Sequence, residues 1–314
     1  MSRARDYAGL VVVLAILVAL FSLSSEHFFS RLTFTTLANQ VPGLTVVAVG
    51  MTLVLIAAGI DLSVGSVMAL AGAIVALARI EWHWPLPLAL ASGLGVGGIA
   101  GLLNGLVTVR WAVPSFIVTL GMLEVARGAT YLVTDSRSIY AGGAVGTLGT
   151  PIGGLGLSPA FLLAVLIVAA GEILLARTVL GRHIVAIGTN VEAVRLSGID
   201  PRPVVIAVFV IAGLLAGVGG VFQLAYLESA DPNGGIGLEL SAIAAVVIGG
   251  TSLMGGRGSV VASFLGVLII AVLQAGLAQI GASEPAKRIV TGLVIVAAVI
   301  LDAHRRSLVS RGAS

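Results

Sequence analysis

Ten stretches of this chain are each apolar over about the twenty residues a helix needs to cross a bilayer core, and no other feature constrains the fold so strongly. They run approximately over residues 8–24, 41–59, 63–80, 86–108, 113–133, 158–176, 204–226, 239–254, 259–280 and 286–303. In hydrocarbon every backbone N–H and C=O must find its partner within protein, so such a chain folds as packed helices. The expectation is an all-α integral membrane protein, a single transmembrane domain over residues 1–314 with about ten spanning helices. Composition agrees, since 58% of the residues are hydrophobic and 10% charged, a balance no water-soluble domain of this size sustains. The 42 glycines, without matching Pro or Ser, point to helices packed through small faces. Residues 59–65 and 255–258 read either as simple turns or as broken, re-entrant backbone, which survives at membrane depth only where protein or water satisfies it.

Orientation follows from the basic residues. With the N-terminus inside and strict alternation, eleven fall on the inner side: Arg3, Arg5, Arg110, Arg177, Arg182, Arg195, Arg202, Arg257, Arg305, Arg306 and Arg311. Six fall outside, namely Arg31, Arg79, Arg127, Arg137, Lys287 and Arg288, so both termini are expected in the cytoplasm. No small-x-small cleavage site follows the first apolar run, so it reads as a span that stays in place. Residues 134–157 are too polar to span and are expected to form an outer loop with a short helix.

The longest polar run between the two apolar halves is residues 177–203, a cytoplasmic loop in this topology. Within it Asn190 suits a helix N-cap, Glu192 lies in the first turn where a carboxylate favours the dipole, and Gly198 can take the left-handed C′ position. These signals predict a two-turn helix from Val191 to Ser197. So short a helix is marginal alone, and Val191, Val194 and Leu196 need a surface, for which a partner protein is the natural candidate. A solvated connecting loop with a capped turn is the plainer reading of the same residues.

The fourth span carries Gly93, Gly97, Gly101 and Gly105 at four-residue spacing, a flat groove that explains close helix packing, with a wall of a translocation path as the other reading. Ala212, Ala216 and Gly220 repeat the spacing in the seventh span. Asp61 or Ser63 can cap the helix that begins near them. Gly65-Ser-Val-x-Ala and Gly258-Ser-Val-x-Ala match, too short a likeness in this composition to establish a repeat.

Five blocks, in order, resemble the ribose-type permeases of bacterial ABC sugar importers. They are Val49-Gly50-Met51-Thr52 with Gly-Ile-Asp-Leu-Ser-Val-Gly-Ser at 59–66, Pro-Ser-Phe-Ile-Val-Thr-Leu-Gly at 114–121, the run from Gly181 to Ile199, the Glu239 to Ser252 run, and Gly255-Gly256-Arg257-Gly258. The resemblance implies that Asn190, Glu192, Ala193, Arg195, Leu196 and Gly198 dock a short cytoplasmic helix into a groove on a separate ATP-binding-cassette ATPase subunit. It further implies an extracytoplasmic sugar-binding protein and a second permease subunit, in a homodimer, as partners in the bacterial inner membrane. The substrate class it implies is a simple sugar such as ribose.

What is missing narrows the chemistry. The single lysine, Lys287, is followed by Arg288, so no P-loop is present; if ATP drives the chain, ATP and Mg are held by the ATPase partner. Without cysteine, and with His27, His83, His183 and His304 scattered, no metal site is expected. His27 and His83 stand beside Phe28, Trp82 and Trp84 as interfacial anchors. A net charge of +3, scattered between spans, is not the footprint of a nucleic-acid binder; the surrounding partner is the lipid bilayer. Ion-coupled carriers need buried acids, and the clear mid-span charges are only Glu124 and Arg127, spaced for mutual neutralisation. A neutral, hydroxyl-rich solute instead calls for neutral polar groups, and Asn104, Thr119, Gln223 and Gln274, with Phe116, form the candidate path. The alternative function is an ion-coupled secondary carrier for a small polar solute.

Overall fold

The computed structural model describes the chain over residues 3–311, with side chains described at 7–294, 296, 297 and 300. The side chains of Arg3, Arg5, His304, Arg305, Arg306 and Arg311 therefore lie outside the described residues. The helices are α1 (Arg3–Ser24), α2 (Arg31–Gln40), α3 (Pro42–Ile56), α4 (Val64–Ile80), α5 (Leu86–Trp111), α6 (Ser115–Thr134) and α7 (Pro159–Arg177). They continue as α8 (Val179–Thr189), α9 (Val191–Leu196), α10 (Arg202–Leu227), α11 (Leu238–Ile248), α12 (Val260–Gln279) and α13 (Glu284–Arg311). Two short strands, β1 (Ile139–Tyr140) and β2 (Ser229–Ala230), pair antiparallel and tie the polar 134–157 loop to the end of α10.

Each expected span meets a helix, but their lengths differ. Among the described residues six helices, α1, α5, α6, α7, α10 and α12, are long and apolar enough to cross a membrane. The pair α2 and α3, bent by 49° where Pro42 starts the second helix, makes a seventh if taken as one span. α11 has 11 residues, roughly 16 Å at helical rise and about half the hydrocarbon thickness. It stops where Gly249 and Gly250, the latter at φ +83°, turn the chain.

The core is arranged around α10, which packs against α5, α3 and α4. The α5 glycines explain how closely. A Cβ on Gly97 would strike the carbonyl of Gly213, one on Gly101 that of Phe209, and one on Gly105 would lie 2.9 Å from Ile206 Cα. The complementary α10 residues are Gly213 and Gly217; Ala212 and Gly220, which share the four-residue spacing on α10, serve other neighbours. Ala212 meets Gly50 of α3, and Gly220 meets Met68 and Gly72 of α4, so α10 uses separate small faces for separate neighbours. Gly93 is also buried, its missing Cβ filled by Val75 of α4 at 2.6 Å.

Candidate functional site

Two interruptions of helix sit close together in this core. After Ile56 the backbone leaves α3, with Ala58 at φ 61°, and re-enters helix at Val64. Side chains supply the hydrogen bonds that lipid would not. Ile60 N donates to Ser115 Oγ at 2.9 Å and Leu62 N to Thr119 Oγ1 at 3.1 Å, while Thr119 Oγ1 donates to Ile60 O at 3.2 Å. Asp61 Oδ1 accepts from Ser63 N at 2.9 Å and from Ser63 Oγ at 2.6 Å, and Asn104 Nδ2 donates to Ser63 Oγ at 3.0 Å. Neither residue caps α4 in the expected way: Ser63 occupies the cap position without a side-chain bond into the helix, because its hydroxyl is committed to Asp61. Asp61, Ser63, Asn104 and Thr119 are all buried, and among the described residues Asn104 Oδ1 and the Ser66 hydroxyl have no protein partner.

The second interruption separates α11 from α12. Ser252 N donates to Arg257 O at 3.0 Å, closing the turn, and Ser259 Oγ caps α12 by accepting from Ala262 N at 3.2 Å. Glu172 of α7 then sits on that helix start. Its Oε2 accepts from Val260 N at 2.8 Å, Val261 N at 3.3 Å and Ser259 Oγ at 3.1 Å, placing a carboxylate at the positive end of α12. Both breaks thus read as interrupted backbone and not as simple turns. Gly258 stands just ahead of α12 and Gly65 in the first turn of α4, so the matched Gly-Ser-Val blocks mark the helix restart after each break.

The breaks are joined to each other and to the cytoplasmic segment. Gly256 N donates to Ile56 O at 2.9 Å. Gly188, near the end of α8, is wedged between them: a Cβ there would collide with the Ile56 carbonyl and lie 2.5 Å from Gly256 N. Three residues later α9 begins. Asn190 Oδ1 accepts from Ala193 N at 3.0 Å, Arg195 pairs with Glu192 at 2.7 Å, and Gly198 ends the helix at φ +80°. Val194 is buried among Ile184, Ile187, Val204 and Val208, and Val191 packs partly against the same cluster. The surface those two valines need is therefore supplied by the chain's own α8 and α10, whereas Leu196 is 89% exposed. A recess of about 380 Å³ lies between α8 and α9, lined by Ala186, Thr189, Asn190, Ala193, Ser197 and Ile199.

The other expected positions disperse. Asn104 and Thr119 hold the first break, but Gln223 lines a cavity of about 30 Å³ between α4 and α10, and Phe116 and Gln274 face outward from α6 and α12. The expected Glu124–Arg127 pair does not form. Arg127 Nη1 donates to the carbonyls of Pro232 and Gly234 at 2.6 and 2.8 Å, while Glu124 is exposed with no protein partner among the described residues. The guanidinium finds backbone oxygens in a loop that dips beside α4, where Gly235 O touches Gly65. At the outer face Tyr140 Oη donates to Glu228 Oε2 at 2.8 Å, and that carboxylate raises the phenol's pKa above its ordinary value. Sequence reasoning missed Ser115, Glu172 and Gly188 as parts of the site, although Ser115 and Gly188 lie within the blocks that carry the family resemblance and Glu172 is a charge near the end of an apolar span.

Residues 33–299 match a protein family described as branched-chain amino acid transport system / permease component. The chain belongs to that family. The match takes in both breaks and α9. The chain is 38% identical over 301 residues to the ribose import permease protein RbsC of Escherichia coli K12, covering 93% of this chain and 92% of that one. It is 39% identical over 301 residues to the RbsC of Bacillus subtilis, covering 92% and 90%, and 35% identical over 300 residues to the D-allose transport system permease protein AlsC of Escherichia coli K12, covering 95% and 91%. No solved structure matches the chain. The permease is a multi-pass membrane protein, as its apolar helices require.

Proposed function

We propose that this chain is the membrane subunit of an ATP-binding-cassette importer for a simple sugar, with ribose the first substrate to test. The observation that carries the reading is the 35–39% identity, over more than nine-tenths of the chain, to permeases named for ribose and allose. The substrate follows these relatives and not the family's description. An amino-acid zwitterion asks for partners of both signs, whereas the first break is pinned by hydroxyls, one amide and a carboxylate already occupied by Ser63.

In this reading α9 docks on a separate ATPase subunit that holds ATP and Mg, and Gly188 carries displacement of α9 to both breaks. An extracytoplasmic sugar-binding protein delivers solute, and a second permease subunit completes the membrane part. The short α4 and α11, with α13, complete ten passages in the bacterial inner membrane, with both termini cytoplasmic; the eleven-to-six division of basic residues supports this orientation. Co-purification tests the docking element. Wild-type permease retains the ATPase subunit, and Leu196→Asp, a change at an exposed position that leaves the fold intact, loses it. Retention of the ATPase by Leu196→Asp would contradict docking through α9.

A further inference from the structure

Between β2 and α11 the chain does not stay at the outer face. Ala230 packs in one apolar cluster with Ala73 and Ala76 of α4, a Cβ on Gly234 would lie 4.0 Å from Ala69, and the carbonyl of Gly235 rests on Gly65 in the first turn of that helix. Residues 231–237 therefore run back along α4 to its start. The contact there is backbone on backbone: a Cβ on Gly65 would collide with Gly235 O, and one on Gly235 would come within 2.5 Å of Gly65 O. Glu239, in the first turn of α11, closes on the same spot. Its Oε2 lies 2.6 Å from where a Gly65 Cβ would stand, and its Oε1 accepts from Gly237 N at 3.2 Å.

Few bonds hold this segment. Its own are short turns, Gly234 N to Asp231 O at 2.8 Å and Leu238 N to Gly235 O at 3.1 Å. The rest come from α6, where Arg127 Nη1 donates to Pro232 O and Gly234 O and, one turn further out, Tyr131 Oη donates to Asn233 Oδ1 at 2.6 Å. Gly235 and Gly237 stand at φ +72° and +80°, conformations that glycine enters and leaves without a Cβ penalty. A strap fastened by two side chains and hinged on glycine opens more cheaply than the packed helices around it. Its exposed turn, at Asp231 and Asn233, is the part within reach of an outside partner.

The strap also sits in line with the first break. α6 pins that break through Ser115 and Thr119 and fastens the strap through Arg127 and Tyr131, so one helix fixes the start of α4 from both sides. At the other end of the break Gly188 bears on Ile56. Movement at α8 and α9 that displaces the break meets the tip of the strap at Gly65. Resting on the permease reading above, we infer that residues 231–237 form an outer strap on α4, that Arg127 is the residue positioning it, and that it must leave α6 for sugar to be taken up. A closed strap resists the movement that accompanies ATP hydrolysis, and a loosened one lets hydrolysis run without the binding protein.

The chain has no cysteine, so a reversible fastening tests this. In vesicles supplied with the ATPase subunit, the sugar-binding protein and ATP, the double variant Tyr131→Cys with Asn233→Cys is bridged by a short bifunctional methanethiosulfonate, which puts a covalent link where the Tyr131–Asn233 hydrogen bond was. D-ribose uptake should stop on bridging and return on reduction, the reagent should have no such effect on either single variant, and the ATPase subunit should still co-purify. The bridge reinforces a contact the folded chain already makes, so a strap that only stabilises would leave uptake unchanged, and unchanged uptake overturns the proposal. Arg127 gives a reading independent of the cysteines. Arg127→Gln should raise ATP hydrolysis in the absence of binding protein about fivefold or more, the lower end of ordinary coupling between sites. Arg127→Lys, whose ammonium still donates to both carbonyls, should keep it low. Hydrolysis by Arg127→Gln at or below the wild-type rate would also overturn the strap. Uptake by the unbridged protein under an ion gradient without the ATPase would overturn the permease reading instead, and the bridge would still decide whether the strap has to open.

Discussion

Arg127 and Glu124 stand one helical turn apart on α6, yet the fold sends them different ways. Sequence spacing made the pair the economical answer to two mid-span charges, and what it could not show was a loop about a hundred residues downstream offering two carbonyl oxygens. Such partners are invisible in a sequence because every residue carries a carbonyl. Arg127→Gln should destabilise the detergent-solubilised protein by about 1.5 to 3 kcal/mol, the range for bonds to a charged group. Adding Glu124→Gln should produce no rescue. Additive changes in a double-mutant melting cycle are expected, and recovery of stability in the double variant would restore the ion pair. The same limit applies to Ser63: the sequence marks it as a helix start, but its hydroxyl goes to Asp61, a choice set by Asn104 pressing from α5.

Among elements, α9 was the most legible, while the two breaks were legible in place but not in what holds them. Caps are local, so Asn190, Glu192 and Gly198 announce their helix within nine residues. Glu192→Lys removes the Arg195 pair and sets a cation at the positive helix end, and Gly198→Pro forbids the left-handed cap. Both should leave membrane insertion intact and abolish stimulation of ATP hydrolysis by the partner; full stimulation in both would deny α9 its role. The junction above it makes a second test. Gly188→Ala forces Ile56 and Gly256 apart, so ATPase co-purification should persist while uptake falls, and unimpaired uptake would show that the wedge transmits nothing. The α5 seam was legible as packing, though its partners and its end were not. Since Gly93 is buried like Gly97 and Gly101, leucine at any of the three should lower folded yield in size-exclusion chromatography. A mild Gly93→Leu would mean that α4 can yield there.

Across the whole molecule, hydropathy found every apolar segment, and among the described residues six of the helices, or seven with the bent α2–α3 pair, are long and apolar enough to cross. The first break, residues 57–63, holds Ala, Gly, Ile and Leu around Asp61 and Ser63, so an averaged apolar signal runs through it, and the second, residues 249–259, is short enough for the apolar runs on either side to blur it. Where a helix ends there depends on side chains from elsewhere, Ser115 and Thr119 for one break and Glu172 for the other. Family membership, by contrast, was carried by blocks that lie at these same features, which is why the resemblance was readable before the geometry. The claim that joins the scales is that ATP hydrolysis on a separate subunit, acting through α9 and Gly188, moves a sugar across the membrane. The direct measurement is D-ribose uptake into vesicles containing the purified permease. The account predicts uptake only when the ATPase subunit, the binding protein and ATP are all supplied. Uptake by the permease alone under a proton or sodium gradient would contradict it.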